Sequence, residues 1–113
     1  MEIFKSLNSS DAIEGFEFLD YKKWKDGYYF KLRITLKDNT VLFVKEYADE
    51  AERNYSFHWQ DAENKLIIRW DNASHHRHIE TYPHHKHIGG TVRESFEISL
   101  NEVLSYIEQH ERI

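Results

Sequence analysis

The sequence predicts an α+β domain: a roughly five-stranded antiparallel meander sheet, a histidine-rich loop, and a C-terminal helix packed on the sheet. Three observations carry this. Residues 28–37 alternate strictly, with Tyr28, Phe30, Leu32, Ile34 and Leu36 on one face of an extended segment and Tyr29, Lys31, Arg33, Thr35 and Lys37 on the other. Asp26-Gly27 and Asp38-Asn39 bound that segment with residues that tolerate tight turns. Near the end, Ser99 and Glu102 form a capping box, and Leu100, Val103, Leu104 and Ile107 follow it as one apolar helical stripe.

In chain order, residues 1–14 are weakly patterned; Ser9-Ser10-Asp11 offers a helix cap, but Gly15 would end that helix early. Residues 16–25 read as a strand with imperfect alternation, and residues 40–47 as the third strand. Two-residue loops at 26–27 and 38–39 would place Asp20 opposite Arg33, Lys31 opposite Glu46 and Ile34 opposite Phe43, pairings that a sheet favours. Residues 48–53 form an acidic linker. Residues 54–60 and 65–71 then make a hairpin around a turn at 61–64, with Tyr55, Phe57, Trp59, Leu66, Ile68 and Trp70 inward. Its simplest register pairs Trp59 with Leu66, Phe57 with Ile68 and Tyr55 with Trp70, and sets His58 diagonal to Arg69. Arg69, Asp71 and Ile67 point outward; with Tyr29, Leu42 and Val44, Ile67 leaves apolar side chains that suit a covering helix or a homodimer surface.

A chain of 113 residues is one domain, long enough to bury a core without staples. It has no cysteine, which excludes disulfides and thiolate metal sites. It has no long apolar run and no secretory pattern near Met1, so the expectation is a cytoplasmic protein with no membrane span. The net charge of −5 argues against a simple non-specific nucleic-acid binder. The charge is uneven: residues 1–64 sum to −4, residues 65–93 to +3 and residues 94–113 to −4. The basic island coincides with a cluster in which six of the eight histidines fall within residues 75–87, as two copies of His-His-x-His.

Four readings compete for that cluster. Neutral imidazoles bind zinc, copper or nickel, and His76, His78, His85 and His87 could supply four nitrogens, with Asp71 and Glu80 as ligands or orienters. Alternatively, two histidines can act as acid and base on RNA without a metal, while Arg69, Arg77 and Lys86 hold phosphate and Tyr82 stacks on a base or donates a proton. A third reading is a partner-docking loop whose strength depends on pH. In the fourth, the histidines only bond backbone carbonyls and cap strand ends. His58 reads as a partly buried sheet histidine and His110 as a structural residue of the last helical turn.

The runs Tyr55-Ser56-Phe57-His58-Trp59-Gln60-Asp61 and Leu66-Ile67-Ile68-Arg69-Trp70-Asp71-Asn72-Ala73, with His75-His76 and Pro83-His84-His85-Lys86-His87, resemble the TumE family, small prokaryotic toxin components of toxin–antitoxin systems. The resemblance spans about residues 16–90; Ser74 departs from it, standing where proline is expected. It implies a cytoplasmic prokaryotic protein with a cognate antitoxin, one carrying a DNA-binding domain. By analogy with other small toxins it raises the weight of RNA as substrate. On that basis the candidate catalytic residues are His75, His76, His84, His85, His87, Arg69 and Asp71, with His76 and His85 as acid and base; Arg77, Lys86, Tyr82 and Asn72 are candidate substrate contacts.

Overall fold

The computed structural model describes residues 2–74 and 78–110, with backbone only for 2–4. A helix α1 (Glu2–Ser9) precedes a run of strands: β1 (Ile13–Trp24), β2 (Gly27–Leu36), β3 (Val41–Ala48), β4 (Arg53–Gln60), β5 (Leu66–Asp71), β6 (His85–Ile88) and β7 (Thr91–Glu94). Helix α2 (Leu100–Gln109) closes the chain. The strands form one antiparallel meander in sequence order. The class is therefore α+β as expected, but the sheet has seven strands rather than about five.

The two additional strands come from the histidine-rich stretch and its sequel. Gly89 and Gly90 both take positive φ, +53° and +79°, which is what a two-residue hairpin turn between strands demands. They are the tip of the β6–β7 hairpin, and the second histidine group is strand rather than loop. The expected helix near Ser9 lies earlier, as α1, and the chain is already in β1 by Ile13.

Turns and bulges also shift three registers. Between β2 and β3, Leu36 N–H donates to the Thr40 carbonyl and Asn39 adopts φ 70°, so the loop holds three residues with the last in the left-handed region. One extra residue turns β3 over. Ile34 faces Leu42 and Lys31 faces Lys45, in place of Phe43 and Glu46. Leu42 and Val44 are consequently core residues, not outward ones, and Glu46 is turned inward with them. Between β1 and β2 the turn is residues 25–26, and Leu19 is the extra residue of a bulge, so Asp20 faces Lys31 and Glu17 faces Arg33. No Cβ would fit at Gly27, where the Trp24 ring and the Ala48 carbonyl close in. In the β4–β5 hairpin, Ile67 is bulged. The turn already sets Gln60 opposite Leu66, one residue beyond the simplest register, and the bulge adds a second, so that Phe57 pairs with Trp70, Trp59 with Ile68 and His58 directly with Arg69, while Leu66 is exposed.

Both helices lie on one face of the sheet. Leu7 and the predicted α2 stripe Leu100, Val103, Leu104 and Ile107 are buried with Phe30, Leu32, Ile34, Leu42, Val44, Tyr55, Phe57, Trp59, Ile68 and Trp70. The Ser99–Glu102 capping box is formed. Arg53 ties this layer together: Nη2 pairs with Glu46 at 3.1 Å and donates to the Ile98 carbonyl at 2.9 Å, Nη1 pairs with Glu97 at 3.2 Å, and the guanidinium lies 4.3 Å from the Tyr55 ring centroid. Tyr28 donates to the other oxygen of Glu46, so the buried carboxylate is fully partnered. Among the described residues the opposite face carries no helix. Among the described residues no helix is long and apolar enough to cross a membrane.

The register predicts unequal costs for neighbouring truncations. Leu42→Ala should lose about 2–5 kcal/mol, the usual range for a fully buried leucine, while Phe43→Ala on the open face should lose clearly less. Urea unfolding of both variants checks this; equal or reversed costs would favour the register shifted by one residue.

Candidate active site

The open face of β4–β6 carries a connected polar cluster. In strands successive side chains alternate between faces, so Ser56 and His58, Arg69 and Asp71, and His85 and His87 all project to the helix-free side. Pairing then aligns them in rows: His58 beside Arg69 beside His87, and Ser56 beside Asp71 beside His85.

Asp71 is the centre. Its side chain is only 8% exposed. Oδ1 accepts from the Ala73 N–H at 3.0 Å and lies 2.9 Å from His85 Nε2; Oδ2 accepts from Arg69 Nε at 3.1 Å and lies 3.6 Å from His87 Nε2. His85 is 2% exposed, and its Nδ1 is 2.9 Å from the Pro83 carbonyl. Both of its nitrogens thus face oxygen atoms. The rings of His85 and His87 meet edge to face at 4.9 Å. Arg69 Nη1 donates to His58 Nδ1 at 3.2 Å, which makes His58 a neutral ring protonated on Nε2. Burial first, and then the Arg69 charge, hold the His58 pKa below the ordinary histidine value. Water reaches the cluster through His87 and Arg69, whose side chains are 27% and 37% exposed.

The other expected residues are distributed differently. His84 turns to the helix-bearing face, stacks on Tyr55 and has Nδ1 2.8 Å from the Tyr55 hydroxyl. Burial pushes that phenol up to about 12, so it keeps its proton and serves as the donor. Lys86 sits between Trp70 and Arg93 in the pairing, one residue out of phase with His85 and His87 and therefore on the helix-bearing side. Asn72 spans β4 and β5, accepting from Tyr55 N–H at 2.9 Å and donating to the Arg53 carbonyl. Tyr82 is 38% exposed in the turn before the cis Pro83 peptide. His78 and Glu80 are exposed beside the buried Ile79. His75, His76 and Arg77 lie outside the described residues.

Among the described residues, the group able to hold a cation is Asp71, His85 and His87, whose ligand atoms lie within 4.8 Å of one another. It shares His85 and His87 with the four-histidine set and adds Asp71; His78 is not part of the group, and His76 lies outside the described residues. His58, which in sequence reads as a partly buried sheet histidine, is a member of the cluster; its direct pairing with Arg69 follows from the longer turn and the bulge at Ile67 together. The hairpin signal that would have placed His85 and His87 on a strand was also legible, as alternation around Gly89-Gly90.

The surroundings are basic. On the open face β2–β4 present Lys31, Arg33 and Lys45, all exposed, and no Asp or Glu. Acids flank this band, Glu17 and Asp20 on β1 and Glu94 on β7. A cleft of about 610 Å³ lies on the other side of the sheet, lined by Lys5, Tyr28, Glu46, Arg53 and the start of α2, with none of Asp71, His85, His87, Arg69 or His58 in its wall.

A depressed His58 pKa has a signed consequence. The folded ring stays neutral below the unfolded value near 6.5, so the unfolded chain takes up the proton first. His58 should therefore contribute stability that is present above about pH 6.5 and is lost as pH falls below it. Nitrogen-15 spectra of the histidine rings should show His58 as the Nε2–H form, titrating at lower pH than a free histidine; a normal titration with no tautomer preference would contradict the Arg69 contact.

No curated protein and no solved structure matches the chain. The family model described as Toxin TumE matches residues 3–111, covering the open-face cluster, both helices and all seven strands. With nearly its whole length matched, the chain belongs to the TumE toxin family.

Proposed function

We propose that this toxin cleaves RNA by metal-independent acid–base chemistry on the open sheet face. The observation that carries the reading is the Asp71-centred cluster, in which a buried His85 and a half-buried His87 and Arg69 share one carboxylate beside a band of exposed cations. In the reaction class that suits it, a ribose 2′-oxygen attacks the adjacent phosphorus while a base removes its proton. The bond from phosphorus to the 5′-oxygen breaks, and an acid protonates that oxygen, leaving a 2′,3′-cyclic phosphate and a 5′-hydroxyl. His87 is the accessible imidazole and is assigned one proton transfer. Arg69 is assigned the phosphate oxygens, where its fixed charge meets the charge that develops. His85 and Asp71 act as positioning residues, since both are buried and internally bonded. The second proton-transfer group comes from the His75-His76 pair. Lys31, Arg33 and Lys45 guide the strand's phosphates toward the cluster. The activity is held in check by a cognate antitoxin that carries a DNA-binding module.

A second reading has one observation in its favour. Asp71, His85 and His87 offer three ligand atoms close together, and the His85 Nδ1–H bond to a backbone carbonyl is the usual way a metal-binding histidine is oriented. Zinc is the natural occupant of such a nitrogen- and oxygen-lined site.

One experiment separates the two. Purified untagged protein, incubated with RNA in EDTA, should yield cyclic-phosphate ends. His87→Ala and Arg69→Ala should each slow cleavage by roughly 10²-fold or more, while His110→Ala leaves it unchanged. Cleavage that requires added zinc would favour the metal centre, and intact RNA under every condition would reject both enzymatic readings.

A further inference from the structure

Strand β1 is one of the two edges of the sheet, and among the described residues it pairs only with β2. Its twelve residues, at about 3.3 Å each, run roughly 40 Å. Edge strands of soluble proteins are normally short or blunted, because a long edge offers its backbone groups to another chain. The opposite edge, β7, follows that rule with four residues. β1 is bulged at Leu19 but is three times as long, and it also carries four of the seven large hydrophobic residues exposed among those described: Phe16 at 42%, Leu19 at 51%, Tyr21 at 39% and Trp24 at 40%. Phe16, Phe18 and Tyr21 lie opposite Ile34, Leu32 and Phe30, hence on the helix-bearing face. Phe18 meets Phe16, Tyr21 and Phe30 edge to face at 6.2, 5.7 and 6.1 Å. The core's aromatic layer thus extends beyond the helices to the rim.

The charge order along β1 identifies what covers it. Glu14 and Glu17 occupy its first half, Asp20 lies just past the middle, and Lys22 and Lys23 stand near its end, with Lys25 just beyond. A segment that runs from acidic to basic is complementary to itself only when reversed. An antiparallel copy sets the Glu14/Glu17 end of one strand against the Lys22/Lys23 end of the other, with Asp20 near the two-fold axis, whereas a parallel copy sets like ends against like. We propose that a second copy of this chain docks antiparallel on β1, giving a two-fold dimer with one continuous sheet and with Phe16, Leu19 and Tyr21 of each copy at its centre. Such an interface is closed and self-complementary, so it ends at two copies. The Asp71 cluster lies four strands away from β1, roughly 19 Å at the usual spacing, so both clusters stay open to solvent at the outer flanks. This inference is independent of the RNA reading.

Sedimentation of the purified full chain over a range of concentrations tests it. Wild type should sediment as a dimer. Lys22→Glu/Lys23→Glu should raise the dimer dissociation constant by roughly tenfold or more, as should Glu14→Lys/Glu17→Lys, while an equimolar mixture of the two variants should recover a dimer. Leu19→Lys, at an exposed bulge position, should also dissociate it with unchanged far-ultraviolet circular dichroism. A wild type that is monomeric at every concentration would overturn the proposal, as would a dimer indifferent to all three variants. A monomer whose antitoxin binding is lost in Leu19→Lys would overturn it too, and would assign the edge to the antitoxin.

Discussion

The carboxylate of Asp71 is the interaction around which the open face is built. It sits at the last position of β5, almost excluded from water, and an unpaired charge there would be costly. Four groups answer it: the Ala73 N–H, the Arg69 guanidinium and the imidazoles of His85 and His87. Each arrives for a reason of geometry. Ala73 follows two residues later in the chain, where an Asx-type bond to the backbone forms readily. Arg69 is the next side chain on the same face of the same strand, and the histidines are brought alongside by β6. The site therefore exists only when β5 and β6 pair.

That pairing is secured from the other face. Trp70 is buried against Tyr106 of α2, and Ile68 pairs with Ile88. Residues 78–84 are anchored by the buried Ile79 and by Thr81, whose hydroxyl donates to the His84 carbonyl and accepts from the Ser95 N–H. The Tyr55–His84 contact and the Arg53–Glu46–Glu97 bridge connect the same region to β3, β4 and the approach to α2. Polar groups on the helix-bearing side are thus bonded to one another, while those on the open side keep an exposed edge at His87 and Arg69. The division suggests why one histidine group does two kinds of work: alternation sends His84 to the scaffold and His85 and His87 to the cluster.

Much of this was readable from residue order. Alternation in 28–37 and 54–60, the inward tryptophans and the capped apolar stripe of α2 depend on periods set by covalent geometry, and all are present in the fold. Asp71 does lie against Arg69 and against His85 and His87 of the downstream group. The misplaced features share one origin. A single extra residue, at Asn39 in the β2–β3 loop and at the bulges of Leu19 and Ile67, inverts or slides everything beyond it.

The sequence by itself determined the class of the domain, its inward-facing residues on β2, β4 and α2, its single basic segment and its family. It could do so because hydrophobic period, capping chemistry and composition are local properties. The tertiary structure alone decided which side chains meet. It made Leu42, Val44 and Glu46 interior, set His58 against Arg69, and drew Asp71, His85 and His87 together across fourteen and sixteen positions of chain. The physical reason is that register in a sheet is a collective outcome. It is fixed by turn geometry and by burial of one whole face, and neither is encoded in any single residue.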